Sequence, residues 1–117
     1  MEHNVISEKS FDFAVRIVNL YKYLIREHSE YVLPKQLLRC GTSIGANVAE
    51  AQRGQSKADF AAKMGIALKE TNETVYWLKL LHRTDYLTQA QFESISADAE
   101  NILYLLTAIC RTANNSK

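Results

Sequence analysis

The sequence predicts an all-α chain folded as an up-down-up-down antiparallel four-helix bundle, on three observations. Its one proline, Pro34, and its four glycines, all between positions 41 and 65, leave most of the chain free of helix breakers. Apolar residues recur at spacings of three and four along four long segments. Only a few residues separate those segments, which makes neighbouring helices antiparallel.

The first helix is predicted at about residues 7–28. Phe11, Ala14, Val18, Tyr21 and Ile25 form its stripe, and Phe13, Ile17, Leu20 and Leu24 widen it. The second is predicted at about 34–53. Pro34 suits a first turn, where its missing N–H has no helical partner, and Gly54 suits the exit. Leu37, Ile44, Val48 and Ala51 are its expected core residues. The third is predicted at about 57–83, opened by a capping box from Ser56 to Asp59 in which aspartate replaces the usual glutamate. Phe60, Met64, Ala67, Leu68, Val75 and Leu78 are its core stripe. The fourth is predicted at about 89–113, opened by a fuller box from Thr88 to Gln91 and striped by Phe92, Ile95, Ala99, Ile102, Leu103, Leu106 and Ile109.

A chain of 117 residues is one domain, 1–117, able to bury roughly two-thirds of its unfolded surface. No apolar run approaches the roughly 20 residues of a membrane span, and the N-terminus lacks a signal-peptide pattern, so a cytoplasmic location without membrane contact is expected. Cys40 and Cys110 lie among apolar neighbours, and His3, His28 and His82 stand at no metal-ligand spacing; no metal, cofactor or small-molecule substrate is expected.

Two helices have more faces than one bundle needs. In the second, Gly45, Ala49 and Thr42 make a side of little bulk that invites close approach of a neighbouring backbone, offsetting the roughly 1 kcal/mol that an interior glycine costs. On its other flank Arg39, Ser43, Asn47 and Glu50 form a polar seam. In the third, Ala62, Ile66, Tyr76, Trp77 and Leu80 gather beside Glu73 on a second apolar side. That side predicts a homo-oligomer with Ile66, Tyr76, Trp77 and Leu80 in the interface, and Trp77→Ala is expected to weaken assembly more than folding.

Chemical constellations are sparse. The stretch from Gly41 to Ala46 lacks the Gly-Lys-Ser/Thr ending of a phosphate loop, and Glu70 and Glu73 lack the Glu-x-x-His partners of di-iron bundles. No catalytic residue is assigned and no enzyme is expected. The seam of Arg39, Ser43, Asn47, Glu50 and Glu73 has two readings. It is either a strip that meets RNA, DNA or a peptide, or a hydrogen-bonded network between helices or subunits in which Glu50 or Glu73 balances Arg39 and Asn47 fixes register. The second is favoured, because half-buried polar groups usually satisfy each other. Net charge is only +1, but residues 34–58 set Lys35, Arg39, Arg53 and Lys57 against Glu50 alone. Arg53, Lys57, Lys63, Lys79 and Arg83 form a solvated rim that offers contacts to phosphate.

The segment LLRCGTSIGANVAEAQRGQSKADFAAKMGIALKETNETVYWLKLL carries Ser43-Ile44-x-x-Asn47-Val48-x-Glu50, Ser56-x-x-Asp59-Phe60, Ile66-Ala67 and Asn72-Glu73-Thr74-x-Tyr76-Trp77-Leu78. These motifs resemble the bacterial four-helix-bundle family first associated with reading frames in intervening sequences of 23S rRNA genes. The resemblance implies a closed up-down bundle that assembles as a ring-like homopentamer, in a family for which no enzymatic activity is established. A related accessory protein of diversity-generating retroelements is similar in fold and binds nucleic acid through a strongly basic surface, from which this near-neutral chain departs. The expected function is a non-catalytic binding or scaffold protein with nucleic acid as ligand class; the alternative is a protein–protein interaction module without nucleic-acid contact.

Overall fold

A computed structural model describes residues 2–115, with the side chains of residues 2–4 left out; Met1, Ser116, Lys117 and the His3 side chain lie outside the described residues. Four helices follow one another: α1 Glu2–His28, α2 Val32–Gln52, α3 Lys57–Arg83 and α4 Gln89–Asn115. Each packs on two neighbours, in the cycle α1–α2–α3–α4, so α1 lies diagonally across from α3. The rod measures 47 × 21 × 19 Å, its length set by helices of 27 residues at 1.5 Å each.

One pattern governs the core. Buried or half-buried residues alternate at spacings of three and four on every helix: Ile6, Ser10, Phe13, Ile17, Leu20 and Leu24; Leu37, Gly41, Ile44, Val48 and Ala51; Met64, Ala67, Thr71, Thr74, Leu78 and Leu81; Ile95, Ala99, Ile102, Leu106 and Ile109. A mean period of 3.5 keeps one seam facing inward along the whole rod, the packing of left-handed bundles. On α1 this corrects the expected stripe. Phe13, Ile17 and Leu24 are buried, whereas Phe11 is 69% exposed. On α3 the pattern adds Thr71 and Thr74, both fully buried. Their hydroxyls donate to the Ala67 and Glu70 carbonyls of the same helix at 2.8 Å, so no polar atom is stranded and each side chain packs as a small β-branched hydrophobe.

The low-bulk side of α2 meets α1. A Cβ at Gly45 would stand 3.2 Å from the Ser10 carbonyl oxygen, and one at Gly41 would stand 2.8 Å from Ile17 Cγ1. Both helices are drawn together where neither glycine has a side chain to hold them apart.

Local signals set the helix starts. Ser56 Oγ accepts the Asp59 N–H at 3.0 Å. At α4 the box is reciprocal, with Thr88 Oγ1 accepting the Gln91 N–H at 3.1 Å and Gln91 Oε1 accepting the Thr88 N–H at 2.9 Å. Two starts move from their predicted places. α1 begins at Glu2, five residues early, and α2 at Val32, two residues before Pro34. At α2 the cap is Glu30, whose Oε2 accepts the Val32 and Leu33 N–H groups at 2.9 and 3.0 Å. The Leu33 N–H, joined by that of Val32 and the Tyr86 hydroxyl, holds the Glu30 carboxyl below its ordinary value of 4.5, against an opposing desolvation. A carboxyl lowered in the folded chain stabilises it above that ordinary value and loses the contribution as pH falls through the lowered one. Glu30→Gln is therefore expected to lower the melting temperature at neutral pH and to narrow its gap from the parent below about pH 4.5, where the parent carboxyl protonates. A gap that stayed constant down to pH 3 in a thermal-melt series would remove the charge from the cap.

Candidate functional site

The polar seam lies along the α2–α3 junction, where the structure divides it into three pieces. Arg39 pairs with Glu73, and its Nη1 lies 3.6 Å from Glu70 Oε2. Glu73 Oε2 also accepts the Trp77 indole N–H at 3.0 Å. The second piece is internal to α2, where Asn47 Nδ2 donates to the Ser43 carbonyl at 2.9 Å and to Ser43 Oγ at 3.0 Å. The third is Glu50 with Lys63 at 2.9 Å, an ion pair whose hydrogen bond and charge hold the Glu50 carboxyl low. Of the two carboxylates open as partners of Arg39, it is Glu73, joined by Glu70, that balances it, while Glu50 turns to Lys63. Asn47 spends its amide on its own helix, as a short side chain within reach of the carbonyl four residues back does, and makes no hydrogen bond to α3 among the described residues.

The five rim cations do not form one patch. Arg53 and Lys57 flank the α2–α3 turn, and Lys79 and Arg83 lie near the other end of α3, about 39 Å from Lys57 to Arg83 at 1.5 Å per residue. Lys63 between them is committed to Glu50. Tyr76, Lys79, Leu80 and Arg83 line an open groove of about 450 Å³ on α3.

The expected interface residues separate as well. Ile66 and Tyr76 are 42% and 58% exposed, but Trp77 is half-buried against the core and tied to Glu73. Truncating Trp77 removes core packing, so Trp77→Ala is expected to cost folding stability besides any contact the side chain makes in an assembly. Sequence reasoning missed a second exposed apolar strip, Phe11 and Val15 on α1, continued by half-buried Val18 and Ile25. The one sequence signal lies beside the expected stripe: positions 11, 15, 18, 22 and 25 include Lys22, whereas 11, 14, 18, 21 and 25, like 6, 10, 13, 17, 20 and 24, carry no charge.

Two further features were not legible. Arg16 straps α1 to α4 through Asp98 Oδ2 at 2.7 Å, Ser94 Oγ at 2.9 Å and the Ser94 carbonyl at 3.2 Å, over a groove of about 510 Å³. At the end where α1 leads into α2, His28 stands edge-on between Tyr23 and Tyr86, with centroids 6.0 and 5.1 Å away. Cys40 and Cys110 are buried free thiols, and desolvation pushes both upward, which keeps them protonated and poorly nucleophilic. Among the described residues no group of three or more metal-ligating side chains converges, and no helix is long and apolar enough to cross a membrane.

Comparison with known proteins bears on this geometry. The model of a family described as 23S rRNA-intervening sequence protein matches residues 2–108. Among solved structures, the chain is similar to a protein of unknown function from the S23 ribosomal protein family of Bacteroides thetaiotaomicron VPI-5482. The two are 58% identical, with 95% of this chain and 99% of that one covered and a TM-score of 0.93. No curated protein matches.

Proposed function

Because the chain belongs to the 23S rRNA-intervening sequence protein family, we propose that it is a non-catalytic, cytoplasmic binding or scaffold protein that assembles with copies of itself and offers to nucleic acid the rim cations that make no ion pair among the described residues. The observation that carries the assembly is exposed apolar surface on diagonally opposed helices: Phe11 and Val15 on α1, and Ile66 on α3. Unlike apolar patches on opposite sides favour head-to-tail association, which closes into a ring when the rotation allows; the family resemblance sets five as the expected number. Gly65 supports the placement on α3. It sits exposed in the middle of a helix at a cost of about 1 kcal/mol relative to alanine, and beyond its own helical turn no atom of the described residues lies within 4 Å of where a Cβ would be. The backbone of a second copy is the occupant that would make a glycine useful there.

Light scattering on the full chain tests the assembly. The parent is expected to have the mass of an oligomer at micromolar concentration, and Phe11→Asp and Ile66→Asp are each expected to yield helical monomers, since both positions are exposed in the single chain. A monomeric parent would sink the reading. The protein–protein alternative is favoured by the small net charge of +1. Salt-titrated binding separates the two, because phosphate contacts give an affinity that falls steeply with salt.

A further inference from the structure

We propose that the α3 groove formed by Tyr76, Lys79, Leu80 and Arg83 is a binding site for single-stranded nucleic acid, in which one base stacks on Tyr76 and the adjoining phosphates meet Lys79 and Arg83. The inference rests on the nucleic-acid part of the reading above and adds to it a site, a strand type and a role for each side chain.

Three observations carry it. Lys79 and Arg83 lie one helical turn apart, about 6 Å along the axis, and neither makes an ion pair among the described residues, whereas Lys63 is neutralised by Glu50. Tyr76 lies on the same face, is 58% exposed, and is backed rather than loose. Its ring stands edge-on to Trp77 at 5.1 Å and 77°, Trp77 is fixed by its N–H to Glu73, and Glu73 is held by Arg39. A pre-positioned aromatic face loses little freedom on stacking. Leu80 supplies apolar floor beside it, and the groove of about 450 Å³ is of a size to take a nucleotide.

The combination selects the strand type. An aromatic face reaches a base only where the base is unstacked, so Tyr76 has no use in a duplex, while the two cations would serve either form. An acidic peptide would likewise engage Lys79 and Arg83 without needing Tyr76. The aromatic ring therefore discriminates among occupants.

The test uses the full chain with a labelled ten-nucleotide oligothymidylate, the matching duplex and an oligoglutamate of equal charge, at low salt and along a salt series. Trp77, the only tryptophan, reports from beside the site by its fluorescence. The single strand is expected to bind more tightly than the duplex or the peptide and to perturb Trp77 emission. Tyr76→Ala is expected to weaken single-strand binding about tenfold, with Tyr76→Phe close to the parent. Lys79→Gln with Arg83→Gln is expected to flatten the slope of log affinity against log salt by about 1.4, the share of two phosphate contacts on a single strand. Circular dichroism establishes that each variant remains helical. Equal affinity for strand and peptide, or strand binding indifferent to Tyr76→Ala, would overturn the site. If binding instead fell on Arg53→Gln with Lys57→Gln, this site would be wrong while the nucleic-acid reading stood. No binding of either nucleic acid at low salt would remove both.

Discussion

Gly41→Ala is expected to destabilise the chain by about 2 kcal/mol, the usual scale of overpacking, even though alanine gains up to about 1 kcal/mol in helix propensity. The new Cβ would fall 2.8 Å from Cγ1, 2.9 Å from Cγ2 and 3.1 Å from Cδ1 of Ile17, itself fully buried. Two of those atoms branch directly from the isoleucine Cβ, so no rotation of a flexible end relieves the contact, and α1 has to move from α2. Ile17→Ala alone is expected to cost about 2–5 kcal/mol through its cavity. In the double variant the alanine at 41 occupies part of that cavity, so the cost falls short of the sum of the two. Urea unfolding of the four proteins measures the coupling. A neutral or stabilising Gly41→Ala would mean that the helices stand farther apart than this packing requires.

Arg39→Ala is expected to cost about 1–2 kcal/mol, more than a solvent-exposed ion pair usually contributes. The difference lies on the acidic side. Arg39 is itself 52% exposed, but Glu70 and Glu73, three residues apart on α3, are only 17% and 34% exposed, and without Arg39 they face each other's charge with reduced access to water. Adding Glu73→Gln removes one of those charges and leaves an oxygen to accept the Trp77 N–H, so the double variant is expected to regain part of the loss. Denaturant unfolding followed by Trp77 fluorescence reads both stability and the indole's surroundings. If Arg39→Ala unfolded at the parent's midpoint, the seam would be no more than a solvated surface.

What was legible in the residues follows from range. The caps at Ser56 and Thr88 were readable because their donors and acceptors lie three residues apart. The closeness of α2 to another backbone was readable from Gly45, although its partner, Ser10, was not. On α1 the expected face joined Phe11, Ala14, Val18, Tyr21 and Ile25 to Phe13, Ile17, Leu20 and Leu24, and no charge lies on either line, so periodicity alone did not say which edge turns inward. The seam was readable as residue types but not as pairs. Glu50 and Glu73 were equally eligible for Arg39 until the antiparallel register of α2 and α3 put Glu50 beside Lys63. The rim cations were readable as a charge excess, yet they lie at opposite ends of a helix about 39 Å apart at 1.5 Å per residue.

The all-α class, the four helices, most of the buried residues and the family are written in local periodicity, in caps or in contiguous motifs, and so could be read from the residues. Which edge of α1 turns inward, which carboxylates hold Arg39, how the cations divide, and that Tyr76, Lys79, Leu80 and Arg83 make one groove emerge from the packed bundle alone. Those outcomes depend on the axial register and rotation of helices against one another, which are fixed by the packing of all four together and by no single segment.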